Sequence, residues 1–294
     1  MHRDNWTDRQ YMLAGAPYEI HHYVDEVPPH VNFHEHPFYE LFFFIDGNVQ
    51  YTIEGKTYHL QPGDILLTNR LDIHRPEILP GRPYERIVIW LADNFFEQIK
   101  FGEDDLSQVF RDAAFRDYRL LRIGKARAER LENLCQKCID AIHSSRIGGY
   151  TLGTAGMMEL FVRICRYYYE DTEIVPEDVM ENEKINKLLR YINENITEDL
   201  TLDLLAEHFY MSKYYLSRQF KRYTGLSLYQ YIMKKRLTIS RDLLLSGSNV
   251  TQACFDCGFN DYSNYLKAFK REFGCNPSAY VRSQDLQQAH WSKP

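Results

Sequence analysis

The side chains with the clearest chemistry in this chain are basic and lie close together in its C-terminal half. The segment His208–Arg241 contains eight Lys or Arg residues and no Asp or Glu, although the whole chain has a formal net charge of −6. Part of this segment is duplicated, because residues 220–225 (FKRYTG) recur as residues 269–274 (FKREFG). A repeated helical unit with a positive end on each copy indicates a protein that grips two successive turns of DNA.

A second reactive set lies near the N-terminus and consists of His34, His36 and Glu40, with His74 further along. Imidazole and carboxylate groups at such spacings can ligate a divalent metal. The same groups, set among aromatic side chains, can also hydrogen-bond a polar organic ligand. Both interpretations require a fold that brings His74 back to the other three residues.

The charge is distributed unevenly between the two halves. Residues 182–294 carry 16 Lys or Arg against 11 Asp or Glu, whereas residues 1–181 carry 19 against 30. This asymmetry favours a nucleic-acid-binding half joined to a half with another task, the alternative being two solvated domains of unequal charge. With 44% hydrophobic and 26% charged residues over 294 positions, the composition is that of a globular protein with two or three domains.

The sequence contains no apolar run of bilayer-spanning length and no apolar signal core after Met1, so we expect a soluble cytoplasmic protein without a membrane partner. Two Cys-x-x-Cys pairs, at 135–138 and 254–257, invite a zinc-site interpretation. Both pairs fall on apolar helical faces, where free cysteine behaves as a small hydrophobe, and we therefore assign them to the core.

The hydrophobic pattern changes along the chain, and with it the predicted secondary structure that must position these residues. Residues 41–45, 49–53, 65–67 and 87–91 have strand patterns separated by turns, which predicts a small β-barrel or sandwich. Apolar residues then follow a helical period over 131–142 and 157–168, which predicts an αα-hairpin. The predicted organisation is a ligand-sensing barrel over 1–94, the helical hairpin over 95–172, an acidic linker over 173–183 and an all-α DNA-binding domain over 184–294.

Within the C-terminal domain, each copy of the repeat has the pattern of a helix-turn-helix unit, and the helix 228–245 joins the two units. At 1.5 Å per residue this helix is about 27 Å long, which suits two recognition helices about one DNA turn apart. A protein-binding helical solenoid is the alternative, but it would not require basic residues at matching places in both copies. The fold class predicted for the whole chain is α+β.

The second unit carries a family resemblance over residues 253–271 (ACFDCGFNDYSNYLKAFKR), Gly274 and residues 276–280 (NPSAY). These residues resemble the signature of the AraC/XylS transcription regulators. The resemblance implies binding to double-stranded DNA, a homodimer formed by the helical hairpin, and RNA polymerase as a partner. The alternative for the hairpin is that it only packs on the barrel. Its base-reading positions fall on Lys213, Tyr214, Ser217, Arg218, Tyr262, Ser263, Asn264 and Lys267. The phosphate contacts expected beside them are Ser212, Lys221, Arg222, Lys270 and Arg271.

The N-terminal histidines lie in a motif, residues 34–40 (HEHPFYE) followed by Gly47, that resembles the first motif of the cupin barrels. Residues 62–64 with His74 resemble the second cupin motif in a looser form. Metal-binding cupins use the positions of His34, His36, Glu40 and His74 as ligands, whereas regulators of this family often keep them as fold-supporting residues. We therefore expect no metal cofactor and favour an effector pocket formed by His34, His36, Glu40, Tyr51, His74 and Trp90.

Aromatic rings suit a carbohydrate because they cover its apolar faces while polar groups meet its hydroxyls. The aromatic residues expected near the barrel turns and strands are Trp6, Tyr11, Tyr18, Tyr39, Tyr51, Tyr58 and Trp90. The function expected is a non-enzymatic transcription regulator, an activator controlled by a sugar. Two alternatives remain at this point: a metal-dependent cupin enzyme fused to a DNA-binding domain, and a constitutive DNA-binding protein whose barrel is a dimerisation platform.

Overall fold

The computed structural model describes residues 11–13, 15–27, 29–70, 72–100, 102–171, 179–180 and 182–282. The chain separates into two compact units, residues 1–181 and 182–294. Each unit has its own core and is described by itself. The finer division into four segments made from the sequence remains a prediction.

The first unit contains two antiparallel sheets. The strands are β1 (Tyr18–Asp25), β2 (Tyr39–Asp46), β3 (Val49–Ile53), β4 (Lys56–His59), β5 (Asp64–Thr68), β6 (His74–Ile78), β7 (Tyr84–Leu91), β8 (Leu120–Arg122) and β9 (Val179–Met180). One sheet has the order β1-β7-β2-β5-β8 and the other β6-β3-β4-β9. The strand patterns read from the sequence correspond to β2, β3, β5 and β7, as predicted.

Strand β2 is buried on both faces, and its alternation decides which side chains enter the barrel. Leu41 and Phe43 pack among the helices, whereas Phe42 and Phe44 pack between the two sheets against residues such as Tyr51. Successive side chains of a strand point to opposite faces, so Glu40 points into the barrel as Phe42 does.

Four helices cover the outer face of the larger sheet: α1 (Asp93–Gln98), α2 (Gln108–Phe115), α3 (Lys125–Ile142) and α4 (Gly149–Asp171). Helices α3 and α4 form the predicted αα-hairpin. They approach so closely that two positions on α4 have no room for a side chain. A Cβ at Gly153 would lie 2.5 Å from Cγ1 of Ile142, and one at Gly156 would lie 2.5 Å from Sγ of Cys138. Small residues on α4 therefore allow α3 to lie directly against it.

Five strands were not predicted from the sequence. Two of them, β4 and β6, pair with the predicted strand β3, and the other three are β1, β8 and β9. β1 pairs with β7 along its whole length. β8 lies within the predicted helical segment but pairs with β5, and Arg122 on β8 donates two hydrogen bonds of 2.8 Å to the Asp64 carboxylate. β9 lies within the predicted linker and pairs with β4. These three strands depend on partners far away in the chain, which local patterns do not show.

The aromatic residues expected near the barrel turns divide between the two faces of the larger sheet. Tyr51, Tyr58 and Trp90 lie between the sheets. Tyr18 and Tyr39 instead pack against the helices, where the Tyr18 ring lies edge-on to Phe95. Neither of these two tyrosines was among the residues predicted to bind the effector. Tyr11 is 67% exposed, and Trp6 lies outside the described residues.

The described part of the second unit, residues 182–282, is helical, with α5 (Glu183–Glu194), α6 (Leu202–His208), α7 (Lys213–Thr224), α8 (Leu228–Leu245), α9 (Val250–Asp256) and α10 (Tyr262–Phe273). A further helical segment occupies residues 277–282. Cys254 and Cys257 lie in the core with Phe259, Tyr265 and Phe269, as predicted. Together with the sheets of the first unit, these helices confirm the predicted α+β class. Among the helices described, none is long and apolar enough to cross a membrane.

Candidate functional site

The two recognition helices, α7 and α10, are local copies of each other. Each has 12 residues and begins after a side-chain cap: Ser212 accepts a hydrogen bond from the Tyr215 backbone N–H, and Asp261 accepts one from that of Asn264. Each ends at a left-handed glycine, Gly225 in α7 and Gly274 in α10. Serine or aspartate before a helix and glycine after it fix both ends, so the repeat seen in the sequence is a repeat in structure.

The turn before each recognition helix is closed in the same way. The Met211 N–H donates to the Ala206 carbonyl at 2.9 Å, and the Phe259 N–H donates to the Cys254 carbonyl at 3.1 Å. Each turn needs one residue with positive φ, which is Gly258 in the second unit and Tyr210, at 52°, in the first. Tyr210 is also 97% exposed beside the start of α7. The sequence did not indicate Tyr210 as the turn residue, because a tyrosine rarely adopts a positive φ.

The buried face of each recognition helix fixes which face remains outside. Leu216 and Phe220 anchor α7, and Tyr265 and Phe269 anchor α10 through rings that are fully buried. The thirteen residues predicted to contact DNA are all exposed: Ser212, Lys213, Tyr214, Ser217, Arg218, Lys221, Arg222, Tyr262, Ser263, Asn264, Lys267, Lys270 and Arg271.

The charges on these faces have more than one physical effect. Lys221 and Arg222 lie in the last turn of α7, and Lys270 and Arg271 lie in the last turn of α10. Cations at a helix C-terminus also stabilise the helix dipole, so their position alone does not require DNA. Lys213 is engaged at the surface by Asp203 at 2.8 Å, an exposed pair that contributes little to stability.

In the first unit, the six residues predicted to bind an effector come together inside the barrel. Glu40 is the centre of the group. Its Oε2 accepts a hydrogen bond of 2.8 Å from Nε1 of Trp90, and its Oε1 accepts one of 3.1 Å from the Tyr51 hydroxyl. Nε2 of His36 lies 3.3 Å from Oε2, and Nε2 of His74 lies 3.8 Å from Oε1. The carboxylate thus has two donors and two neighbouring imidazoles.

The three histidines are oriented by the backbone. Nδ1 of His34 lies 2.9 Å from the Asn32 carbonyl oxygen, Nδ1 of His36 lies 3.0 Å from that of Phe38, and Nδ1 of His74 lies 2.7 Å from that of Asp72. A carbonyl only accepts, so each Nδ1 carries its proton and donates it. In the neutral rings, Nε2 is therefore an unprotonated acceptor.

Neighbouring loops and strands hold the histidines in these positions. Residues 34 and 74 form a two-way backbone bridge, which links the loop before β2 to the start of β6. Phe38 stacks on the His36 ring with centroids 3.9 Å apart. The carboxylate of Asp72 accepts a hydrogen bond of 3.0 Å from Nε of the buried Arg119. Phe38, Asp72 and Arg119 were not predicted, because they act by holding other residues and match no ligand pattern.

The electrostatics follow from burial and close packing. Burial acts to raise the pKa of the Glu40 carboxyl, but His36 and His74 outweigh it and hold that pKa well below its usual range. Burial also lowers the pKa of His74 well below its ordinary value, and His34 adds to this effect. Burial raises the pKa of Tyr51, helped by the Glu40 charge. At neutral pH the group therefore combines an ionised carboxylate, a neutral His74 and a protonated Tyr51.

Access to this group differs among its members. The side chains of His36, Glu40, Tyr51, His74 and Trp90 are buried, whereas His34 is half-buried on the loop between β1 and β2. A separate groove of about 640 Å³ lies outside the barrel along α3 and α4. The barrel residues and the groove are thus distinct features of the first unit.

Each of the two units matches the model of a known domain family. Residues 17–146 match the model of the AraC-like ligand binding domain, and residues 205–283 match a helix-turn-helix domain. The HTH-type transcriptional activator RhaS of Salmonella typhimurium (strain LT2) is 24% identical over 254 residues, which cover 86% of this chain and 88% of that protein.

Two solved structures match this chain at low sequence identity. The DNA-binding domain of AdpA, a global transcriptional factor in complex with a target DNA, is 24% identical with a TM-score of 0.34, covering 35% of this chain and 94% of that one. ToxT from Vibrio cholerae strain SCE256, bound to an unsaturated fatty acid, is 14% identical with a TM-score of 0.37, covering 92% of this chain and 97% of that one.

The two matched ranges cover more than two thirds of the 294 residues and coincide with the two kinds of site found in the structure. The relatives are transcription regulators, and no part of this assignment is that of an enzyme. The chain, with an AraC-like ligand-binding domain followed by a helix-turn-helix domain, belongs to the AraC/XylS family of DNA-binding transcription regulators.

Proposed function

We propose that this regulator is a sequence-specific activator of transcription controlled by a small-molecule effector, a carbohydrate, bound in the barrel. The observation that carries the DNA-binding part is the matched pair of helices α7 and α10. Each is capped at both ends and anchored by a buried face, so each presents a fixed polar and basic face. The family resemblance adds RNA polymerase as the partner through which activation occurs.

The proposed roles on these helices divide by position. Residues in the first turns read base edges, because the N-terminal part of a recognition helix enters the major groove. Arg218 is the strongest candidate, since a guanidinium can pair with O6 and N7 of guanine. Lys270 lies in the last turn of α10 and is proposed to contact phosphate, which contributes affinity but no sequence preference.

The effector part of the proposal is supported by the chemistry of the barrel interior. Trp90, Phe38 and Tyr51 supply aromatic surface, and the Phe38 and Trp90 ring centroids are 5.1 Å apart. Glu40 and the histidines supply acceptors for sugar hydroxyls. Because His34 is half-buried on a loop, we propose that an effector enters where this loop crosses the barrel.

Dimerisation is proposed to use the groove along α3 and α4. Its lining includes Leu134, Ala155 and the 68% exposed Leu152, and Ile147 at its edge is fully exposed. The charged groups of Lys137 and Glu159 also lie on the groove. Exposed apolar side chains flanked by charges are typical of a protein-binding surface, and a second copy of the hairpin would cover them.

The division between base and phosphate contacts is tested by two substitutions. Arg218→Ala should weaken binding to a selected operator by about 1–3 kcal/mol and leave binding to random duplex nearly unchanged. Lys270→Ala should weaken both duplexes alike and reduce the slope of log K against log salt by about 0.9. Fluorescence anisotropy at several salt concentrations measures both quantities. The control Lys187→Ala, on the exposed surface of α5, should change neither, and equal losses on both duplexes for Arg218→Ala would refute the division.

The effector proposal is tested by thermal unfolding of the full chain with a panel of mono- and oligosaccharides. A sugar at a hundred times its dissociation constant stabilises the folded state by about 2.7 kcal/mol, which should raise the midpoint by several degrees. Glu40→Gln should abolish this shift, whereas His59→Gln on β4 should retain it. No shift with any sugar, together with unaltered DNA binding, would contradict a sugar effector and favour a constitutive regulator.

The dimer proposal is tested by Leu152→Arg, which places an unpaired charge in the groove. We expect the dissociation constant of the dimer to rise at least about tenfold, equivalent to about 1.4 kcal/mol, because that charge would be buried in the interface. Light scattering across a concentration series measures the mass. The control Thr151→Arg, exposed on the same helix but outside the groove, should remain dimeric. A wild-type chain that stays monomeric at every concentration would contradict the proposal.

A further inference from the structure

The two copies of the helix-turn-helix repeat, α6 with α7 and α9 with α10, differ at one position of their turns. Each turn contains a residue with positive φ, which is Tyr210 in the first copy and Gly258 in the second. The Tyr210 side chain is 97% exposed, whereas Gly258 is buried. The turn of the second copy is therefore in contact with another part of the domain, and the repeat alone does not account for that contact.

Gly258 lies directly against the loop between α5 and α6, which precedes the first copy. A Cβ at residue 258 would lie 2.8 Å from Cα of Thr197, 2.9 Å from the Thr197 carbonyl oxygen and 2.9 Å from Nε of Arg236. Carbon atoms in favourable contact are about 3.5–4.0 Å apart, and two of these three neighbours are backbone atoms that cannot rotate away. Only glycine therefore allows the turn before α10 to touch this loop.

Arg236 on α8 holds the same loop through two hydrogen bonds. Its Nε donates to the Ile196 carbonyl oxygen at 2.8 Å, and its Nη2 donates to the carbonyl oxygen of Glu198. A guanidinium carries its N–H donors in one rigid plane, so two bonds from the same group set the orientation of the loop as well as its distance. We call residues 196–198, Arg236 and Gly258 the junction, because the loop, α8 and the turn of the second copy meet there.

Helix α8 also contacts both recognition helices. The Tyr231 ring lies edge-on to Phe220 of α7 with centroids 5.3 Å apart, and Ser240 shares a hydrogen bond of 2.7 Å with the Tyr265 hydroxyl of α10. These contacts set the distance between the copies along α8, but long helices are rarely straight and can curve. The junction adds a contact between the turn of the second copy and the loop before the first that does not pass along α8.

We propose that the junction fixes the separation and rotation of α10 relative to α7, and that Arg236 and Gly258 are positioning residues through which the protein reads the spacing of its operator. Each base pair inserted between the two bound segments moves one of them by about 3.4 Å and rotates it by about 35°. A rigid frame cannot follow that change, whereas it binds DNA of the correct spacing without losing conformational freedom. The inference rests on the proposed binding of DNA by both recognition helices of one chain.

The test measures binding of the full chain to an operator selected from random sequence and to the same operator with one base pair inserted between the two protected segments. The wild type should bind the second DNA at least about tenfold more weakly, because base contacts of one helix are lost. Arg236→Met keeps the apolar stem and removes the donors, so this ratio should fall below about threefold. The control Arg190→Met, on the exposed surface of α5, should keep the wild-type ratio. Each ratio compares two DNAs with one protein, so a general loss of folded protein cancels.

A second variant keeps the test decisive if Arg236→Met fails to fold. Arg236→Lys keeps the stem and the charge but lacks the planar donors, so its ratio should lie between those of the wild type and Arg236→Met. If Arg236 only stabilises the fold, the ratio stays at the wild-type value. A wild-type ratio in every folded Arg236 variant would overturn the role of the junction and leave binding by both helices intact. A wild-type chain that binds both DNAs equally would instead contradict the use of both helices, and this inference with it.

Discussion

The first unit depends on one constraint, which is that strand β2 is buried on both faces. Its alternation sends Tyr39, Leu41 and Phe43 to the helices and Phe42 and Phe44 to the space between the sheets. A single chain segment thereby joins the helical core to the barrel core. The same alternation leaves Glu40 inside, where its charge must be met by Trp90, Tyr51 and the histidines.

Burying the ionised Glu40 carboxylate is unfavourable unless polar groups surround it, and the structure places such groups around it. Two segments lie beside the carboxylate: the loop that carries His34 and His36, and the start of β6, which carries His74. A backbone bridge joins the loop to β6. A change of charge at Glu40 would therefore act on the loop that carries His34 and His36. This gives the proposed sensing a physical basis, since an effector can shift a conformational equilibrium only by binding one state better than another.

In the second unit the functional side chains are on the surface, and the buried side chains hold the recognition helices in place. Phe220 and Phe269 occupy corresponding places in the two copies, and each fixes a helix whose opposite face carries Lys and Arg. Ser240 and Tyr265 share a hydrogen bond of 2.7 Å within the core, which ties α8 to α10. Rigid anchoring is what allows surface side chains to meet base edges at fixed positions.

Much of this architecture could be read from the sequence, where local pattern and tertiary fold agree. The helix 228–245 is one example, and the structure has it at the predicted bounds. The six predicted effector residues also lie close together. Glu40, Tyr51 and Trp90 do so because they lie on strands whose patterns were predicted, whereas His34, His36 and His74 lie in a loop and on a strand that were not.

The unpredicted parts depend on information that a local pattern does not contain. Strand β1 is disguised by polar residues such as His22, which is buried because Glu85 and Gln136 bond its ring. The packing of Tyr18 and Tyr39 against the helices was not predicted, because both faces of the larger sheet are apolar and alternation alone does not show which face is the interior. Nε2 of His36 and Nε2 of His74 have no hydrogen-bond partner among the described residues, and this depends on ring orientations that a sequence does not give.

The central claim is that one chain uses α7 and α10 together to bind two adjacent major grooves. Hydroxyl-radical footprinting of the full chain on an operator selected from random sequence tests it most directly. The account predicts two protected segments per half-site on one face of the DNA, with centres about one helical turn of 10–10.5 base pairs apart. Protection of a single groove by each chain, unchanged when the exposed face of α10 is neutralised, would contradict it.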